Sequence, residues 1–465
     1  MATATLSPNR PHLKTAPFRK GHPIWGALPE FQKDTLKLFT DVAKMGDVAH
    51  IRFGFTHLYQ VNHPDGVQHV LQQNNKNYHR DSFGNQLVKL VTGLNLFTSD
   101  GDYWLNQRRL MQPAFHRRNY DLFGQIMTDA TLRTLTRWQT AIRQGTFLDM
   151  HKEMMRLTME VVGQALFSVD LSDDSNVLGK AFMTSTGYIQ FRFNTPLYPP
   201  LAIPTRANRE VKQAMADVQR ILQEMIDERR RTGERKDDLM TTLMEARYED
   251  TGEGMTDEQL RNELGVMIGA GQETTSNLLT WIFHALAANP DVEAKLLDEY
   301  ARVLGGNTQR VRTPTMADLP RLPYSRMVID ETLRVYPPAW AISTRVALED
   351  DEILGYRIPK GSGVFITPYV LHRDPRFWDA PEKFDPERFT EANEEKRHKY
   401  AYLPFGAGPR KCIGNTFALT ETQLILATLL PRYKLTLQPG YKVEPAAEFT
   451  LRVKGGLPMR VEARS

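Results

Sequence analysis

The only cysteine of the chain, Cys412, lies in Phe405-Gly406-Ala407-Gly408-Pro409-Arg410-Lys411-Cys412-Ile413-Gly414, where two glycines and a proline form a loop that ends, at the cysteine, on a predicted helix start. A thiolate there gains from the helix dipole and from free backbone amides, which lower its pKa and suit it to bind a metal. The competing reading is a small buried hydrophobe, the commoner fate of a lone cysteine. A second candidate is Ala270-Gly271-Gln272-Glu273-Thr274-Thr275, which sets an acid beside an alcohol in a glycine-thinned helix. Such a pair can move protons; the bland alternative is a β-branched threonine bonded to an earlier carbonyl. Glu331 and Arg334, three apart, share a helix face, as do Trp104 and Arg108, four apart. Alone, a Glu/Arg pair at this spacing is a surface ion pair worth less than about 1 kcal/mol.

The elements that must position these residues are mostly helical. From about Trp104 to Leu304 the hydrophobic period is that of helices, broken by a loop at Pro196 to Pro204. Thr256-Asp257-Glu258-Gln259 reads as a capping box opening a helix that runs to Ala288, where Asn289-Pro290 stops it. At 1.5 Å per residue this helix is about 50 Å long, enough to cross a domain. Gly265, Gly269 and Gly271 cluster in its interior, each costing about 1 kcal/mol relative to alanine. Either a backbone or a ligand approaches closely there, or the helix is distorted. Alternation in His50–Phe55 and Leu58–Val61 predicts a β-hairpin. Beyond Pro337-Pro338 the chain turns β-rich, with Val364–Ile366 a strand and Phe449–Val453 and Leu457–Val461 a hairpin around Gly455-Gly456. A last helix is expected over Ile413–Leu430, ended by Pro431.

Bulk composition sets the frame. The 465 residues are 41% hydrophobic and 25% charged, the balance of a globular chain with a sizeable core. Fifty-nine basic against 55 acidic residues leave a net charge of only +4, which does not point to nucleic acid. The local basic runs, Arg108-Arg109, Arg117-Arg118, Arg229–Arg231 and Lys396–Lys399, read as solvated faces. One cysteine excludes an intrachain disulfide and fits a reducing cytoplasm. The N-terminus carries Pro8, Pro11, Pro17, Pro23 and Pro29 and no apolar run of the roughly 20 residues a membrane span needs. With no repeat and no separating linker, the expected organisation is a proline-rich segment, residues 1–30, followed by a single catalytic domain, 31–465.

The cysteine segment matches the haem-binding signature Phe-x-x-Gly-x-Arg-x-Cys-x-Gly of the cytochrome P-450 superfamily through Phe405, Gly408, Arg410, Cys412 and Gly414. The other elements follow in that family's order. Glu331-x-x-Arg334 precedes the cysteine by about 80 residues, and Pro386-Glu387-Arg388-Phe389 resembles the element supplying a second arginine. Ala270-Gly271-Gln272-Glu273-Thr274-Thr275 resembles the oxygen-activating segment, and Trp104 with Arg108 resembles the pair on a haem propionate. The resemblance runs from Ile24 onward and is to the soluble bacterial type; the visible departure is Glu273 where many members carry Asp.

The resemblance implies a mainly α fold with smaller β regions, a helix-rich prism with haem b between the long helix and the cysteine loop. Cys412 would be the axial ligand and iron site, a thiolate that favours oxygen–oxygen bond cleavage. Phe405 would shield it, Gly406 would shape the loop, and Ala270 and Gly271 would border the haem. Arg410, Trp104, Arg108 and Arg345 would hold the propionates. Thr274 would hydrogen-bond in the oxygen site and Glu273 would supply protons, while Glu331, Arg334 and Arg388 would form a buried network supporting the loop. The implied activity is monooxygenation, by hydroxylation or epoxidation, of a lipophilic fatty acid, terpenoid or steroid-like molecule. Phe83, Leu90, Phe97, Trp340 and Ala341 are the candidate pocket residues, Trp340 being equally open to core packing. Dioxygen and an external donor, a ferredoxin or flavodoxin with its reductase, are the implied partners, because no flavin or iron–sulfur extension follows residue 465. A basic face with Arg109, Lys411 and Lys396–Lys399 would receive that donor. The alternatives are a peroxide-dependent or hydroperoxide-rearranging enzyme, against which Glu273 and Thr274 argue, and a non-catalytic haem sensor.

Overall fold

The computed structural model describes residues 13–115, 120–172, 177–195, 197–305 and 311–464. His116, read as an ordinary histidine, lies outside them, as do Arg117, Arg118, Pro8, Pro11 and Pro196. The chain forms two compact units, one of residues 1–87, 339–383 and 391–412, the other of 88–338, 384–390 and 413–465.

The first unit is built on a sheet. Strands β1 (Val48–Phe53) and β2 (Thr56–Val61) form the expected antiparallel hairpin, with Val48 opposite Val61 and Phe53 opposite Thr56. Gly54, at φ 57°, supplies the left-handed conformation that a two-residue hairpin turn needs. With β3 (Tyr78–His79), β4 (Ile342–Ala347) and β5 (Gly363–Ile366) they make a five-stranded sheet in the order β1-β2-β5-β4-β3. Only the β2–β5 pair is parallel. Its core gathers Val61, Val70, Leu71, Val364, Ile366 and Leu403. Each such aliphatic side chain contributes about 1.5–3 kcal/mol when taken fully out of water. That core therefore fixes Leu71 and Leu403, the residues against which the cysteine loop is laid.

The second unit is helical. Its helices include α1 (Gly101–Met111), α2 (Tyr120–Gln144), α3 (Met150–Phe167), α4 (Val177–Asn194), α5 (Arg206–Thr232), α6 (Asp257–Ala288), α7 (Pro323–Val335) and α8 (Asn415–Leu429). The capping box at Thr256 and Gln259 is formed in both directions, at 3.2 and 2.9 Å, and α6 runs unbroken to its Asn289 cap. Its glycines have a simple explanation. A Cβ at Gly269 would sit 2.1 Å from the ring of Phe182 on α4, and one at Gly271 would sit 2.9 Å from Val162 on α3. At these two positions neighbouring side chains, rather than a backbone or a distortion, take the space, whereas Gly265 has room for a Cβ, Leu222 being 3.7 Å away.

One expectation fails. β6 (Leu451–Val453) does not pair with β7 (Pro458–Ala463): the former pairs with Pro445–Ala447, the latter with Phe147–Asp149 and Tyr433–Leu437. Gly455 and Gly456, at φ 78° and 88°, do turn the chain. The flanking amides then go elsewhere, Lys454 donating to the Glu444 carbonyl and Leu457 to the Asp149 carboxylate, both at 2.9 Å.

Candidate active site

In the first unit the loop before the cysteine is shaped by two left-handed glycines, Gly406 and Gly408, both at φ 68°. Gly408 permits no other residue, since a Cβ there would lie 1.9 Å from the Leu71 carbonyl oxygen. The loop then folds back on itself, with the Lys411 amide donating to the Gly408 carbonyl at 3.1 Å and the Cys412 amide to the Phe405 carbonyl at 3.0 Å. Its entry is pinned by His372, fully buried, whose Nε2 accepts from the Leu403 amide at 2.8 Å. The result presents Cys412 as an exposed thiol on this turn, three residues ahead of α8, rather than as a buried hydrophobe. Phe405 and Arg410 flank it, each half-buried. Arg345 is buried on β4 and donates from Nη1 to the Ser343 carbonyl at 3.2 Å. Trp340 is also buried, its ring 6.0 Å from Phe39 and 6.3 Å from Phe365.

In the second unit α6 is buried along most of its length, yet Ala270 is exposed in its middle and Gly271, Glu273 and Thr274 are half-exposed. Thr274 donates from Oγ1 to the Ala270 carbonyl at 2.7 Å. Glu273 turns away from it: its Oε1 accepts from the Thr450 hydroxyl at 2.5 Å, and Thr450 Oγ1 accepts in turn from Asn277 Nδ2 at 2.9 Å. Burial raises the Glu273 pKa above the ordinary carboxylate value, opposed by the Thr450 hydrogen bond and the positive charge of Arg452. Thr450 and Asn277 are thus parts of the acid–alcohol arrangement that local spacing gave no hint of.

Trp104 and Arg108 are half-buried on α1, one turn apart. On α7, Glu331 and Arg334 are both fully buried and form a bidentate pair at 2.7 Å through Nε and Nη2. Arg388 adds a second cation at 3.6 Å, and the Asp385 amide donates to Glu331 at 2.8 Å. This is a buried network, so removing one member strands a charge at a cost of about 3–5 kcal/mol. Of the pocket candidates, Phe97 packs against the cluster of Val88, Val91, Tyr188 and Ile189, Leu90 and Phe83 are exposed, and Ala341 is half-buried. The basic runs are largely paired within the protein: Arg229 with Asp238, Arg230 with Asp257, Arg231 with Glu228, and Arg397 with Glu394.

A family model described as cytochrome P-450 matches residues 16–459, and the chain belongs to that family. It is 35% identical to cyclooctatin synthase of Streptomyces melanosporofaciens over 96% of this chain and 95% of that one. It is 31% identical to pentalenene oxygenase of Streptomyces avermitilis over 95% and 96% of the two chains. Among solved structures, the cytochrome P450DA haem domain superposes with a TM-score of 0.89 at 26% identity, covering 97% of this chain and 98% of that one. The protein is a cytochrome P-450 monooxygenase, an enzyme class built on a haem-thiolate cofactor. Its residues fit that group. The exposed Cys412 stands at the end of a loop fixed by two left-handed glycines, and a thiolate is a soft ligand suited to iron. No helix of the described residues is long and apolar enough to cross a membrane.

Proposed function

We propose that Cys412 would hold the iron of haem b through its thiolate and that the enzyme inserts one atom of dioxygen into a lipophilic small molecule, by hydroxylation or epoxidation. The observation that carries this reading is the exposed cysteine on a glycine-dependent turn that tolerates no side chain at Gly408. When bound, the haem-thiolate group supplies the activation of dioxygen that no side chain can provide. The chain's own residues then do the rest. Arg410, Arg345, Arg108 and Trp104 would hold the two propionates, anions matched to guanidinium donors. Phe405 would keep water from the sulfur. The small, exposed Ala270 leaves room on its side of the helix, Gly271 would border the haem, and Thr274, by rotating from the Ala270 carbonyl, can offer its hydroxyl there. Glu273, whose pKa burial raises, would be the proton store, reloaded through Thr450.

Relatives named for oxidation of pentalenene and of cyclooctat-9-en-7-ol support a lipophilic, multi-carbon substrate with few polar groups. Electrons would come from a ferredoxin or flavodoxin with its reductase, docking on a basic face that includes Arg109, Lys411 and Lys396–Lys399, in the cytoplasm. The 31–465 segment would act as one catalytic domain behind residues 1–30. The test is turnover with a ferredoxin, its reductase and isotopically labelled dioxygen. One labelled oxygen atom in the product is the expected result; label-free product formed from peroxide alone would overturn it in favour of a peroxide-dependent enzyme.

A further inference from the structure

On α4 the residues Phe182, Ser185, Ile189 and Arg192 follow one another at spacings of three, four and three, a single buried stripe that ends in a cation. Arg192 is only 8% exposed. On the same helix Tyr188 and Ile189 belong to an apolar cluster with Val88, Val91 and Val211. Its Nη1 donates to the Tyr188 hydroxyl at 3.0 Å, and the Tyr188 hydroxyl donates in turn to Asn208 Oδ1 at 2.6 Å. The Asn208 amide is already spent on the carbonyls of Pro199, Pro200 and Ile203, so this chain of bonds ends there.

What the guanidinium lacks is an anion. Among the described residues no carboxylate lies within ion-pair distance of Arg192, its Nε is buried without a hydrogen-bond partner, and Nη2 makes no hydrogen bond. Guanidinium does not deprotonate in proteins. A buried cation without a counter-ion is expensive enough to be rare. The two nitrogens left over, Nε and Nη2, are the adjacent pair that grips a carboxylate with two parallel bonds, and Tyr188 holds the third in place.

We infer that Arg192 is the anchor for the carboxylate of a lipophilic carboxylic acid substrate. This rests on the monooxygenase reading above and narrows it from a lipophilic molecule to an acid with a long apolar body. The stripe gives the length. Phe182 touches α6 at Gly269, beside the exposed Ala270, and lies ten residues before Arg192, about 15 Å at the helical rise. An extended chain advances about 1.2 Å per bond, so roughly twelve bonds separate the carboxylate from the carbon that would lie near Ala270.

The experiment compares dodecanoate with 1-dodecanol on the haem-loaded enzyme, wild type and Arg192→Met, by calorimetric titration and by thermal unfolding. In the wild type the acid should bind at least tenfold more tightly than the alcohol and raise the melting temperature. In Arg192→Met that preference should disappear, and Arg192→Lys should restore part of it. Without ligand, Arg192→Met should melt no lower than wild type, because it removes an unpaired charge, whereas an arginine with a purely structural role would leave a less stable protein. Equal binding of acid and alcohol by wild type, or a preference that survives Arg192→Met, overturns the inference. So does equal protection by acetate at the same carboxylate concentration, which would make this an anion site unrelated to substrate. The carbon monoxide spectrum of each preparation reports the haem ligand separately, so a failed cofactor assignment is distinguishable from a failed anchor.

Discussion

Glu263 offers a sharp test of how α6 holds the segment before Trp104. The residue is fully buried one turn beyond the capping box; its Oε2 accepts from the Leu96 amide at 3.0 Å and its Oε1 has no partner. Beside it, Asn262 donates to the Leu94 carbonyl at 3.3 Å and lies so close to Gly93 that a Cβ there would be 2.6 Å away. Burial pushes the Glu263 pKa from 4.5 up to about 8, with the Leu96 hydrogen bond opposing. A folded pKa above the unfolded one means the protonated form is favoured on folding. Stability from this group is therefore complete below about pH 4.5 and is lost as pH rises through about 8. At 1.36 kcal/mol per pH unit, wild type should lose about 4 kcal/mol through this group between pH 5 and pH 9. Glu263→Gln keeps an acceptor for the Leu96 amide but cannot ionise. Urea unfolding at the two pH values should show the variants similar at pH 5 and Glu263→Gln more stable by a few kcal/mol at pH 9, with titrations elsewhere cancelling in the difference. An identical pH dependence in both proteins, or an equal loss in the variant at both pH values, would refute the reasoning.

Thr450→Val removes the hydroxyl that donates to Glu273, a hydrogen bond to a charged group worth about 1.5–3 kcal/mol, or about one to two pH units. Since that bond lowers a pKa that burial has raised, its loss should carry the alkaline fall in turnover to higher pH by that amount; an unmoved profile counts against Glu273 as proton store. Gly408→Ala meets both a left-handed φ and the Leu71 carbonyl, whereas Gly406→Ala meets only the φ, with open space around it. The strain alone costs about 1–2 kcal/mol, so haem content per protein should fall much further in Gly408→Ala, and equal losses would show that the Leu71 contact does not shape the loop.

How much was legible depends on the range of the interaction. The cysteine loop, the capping box at Thr256, the β1–β2 hairpin and the end of α8 are written in residues a few positions apart, where turn and cap chemistry operate. The expected C-terminal hairpin does not form because Gly455-Gly456 specifies a turn but not a partner, and the flanking amides of Lys454 and Leu457 find the Glu444 carbonyl and Asp149 instead. The partners that set the behaviour of Glu273 were out of reach for the same reason, Thr450 being 177 residues away. His372, which pins the loop from 31 positions before Leu403, carried no local signature. Arg192 carried no local signature, because its burial without an acidic partner among the described residues comes from the tertiary fold.

The central claim, that Cys412 holds the iron, is tested most directly by the absorption spectrum of the dithionite-reduced protein under carbon monoxide, for wild type and Cys412→Ser. A strongly red-shifted Soret band in wild type, absent from the variant, is the expected result. Wild type that binds no haem or gives a histidine-type band, or a variant that keeps the red-shifted band, would contradict the assignment and the function built on it.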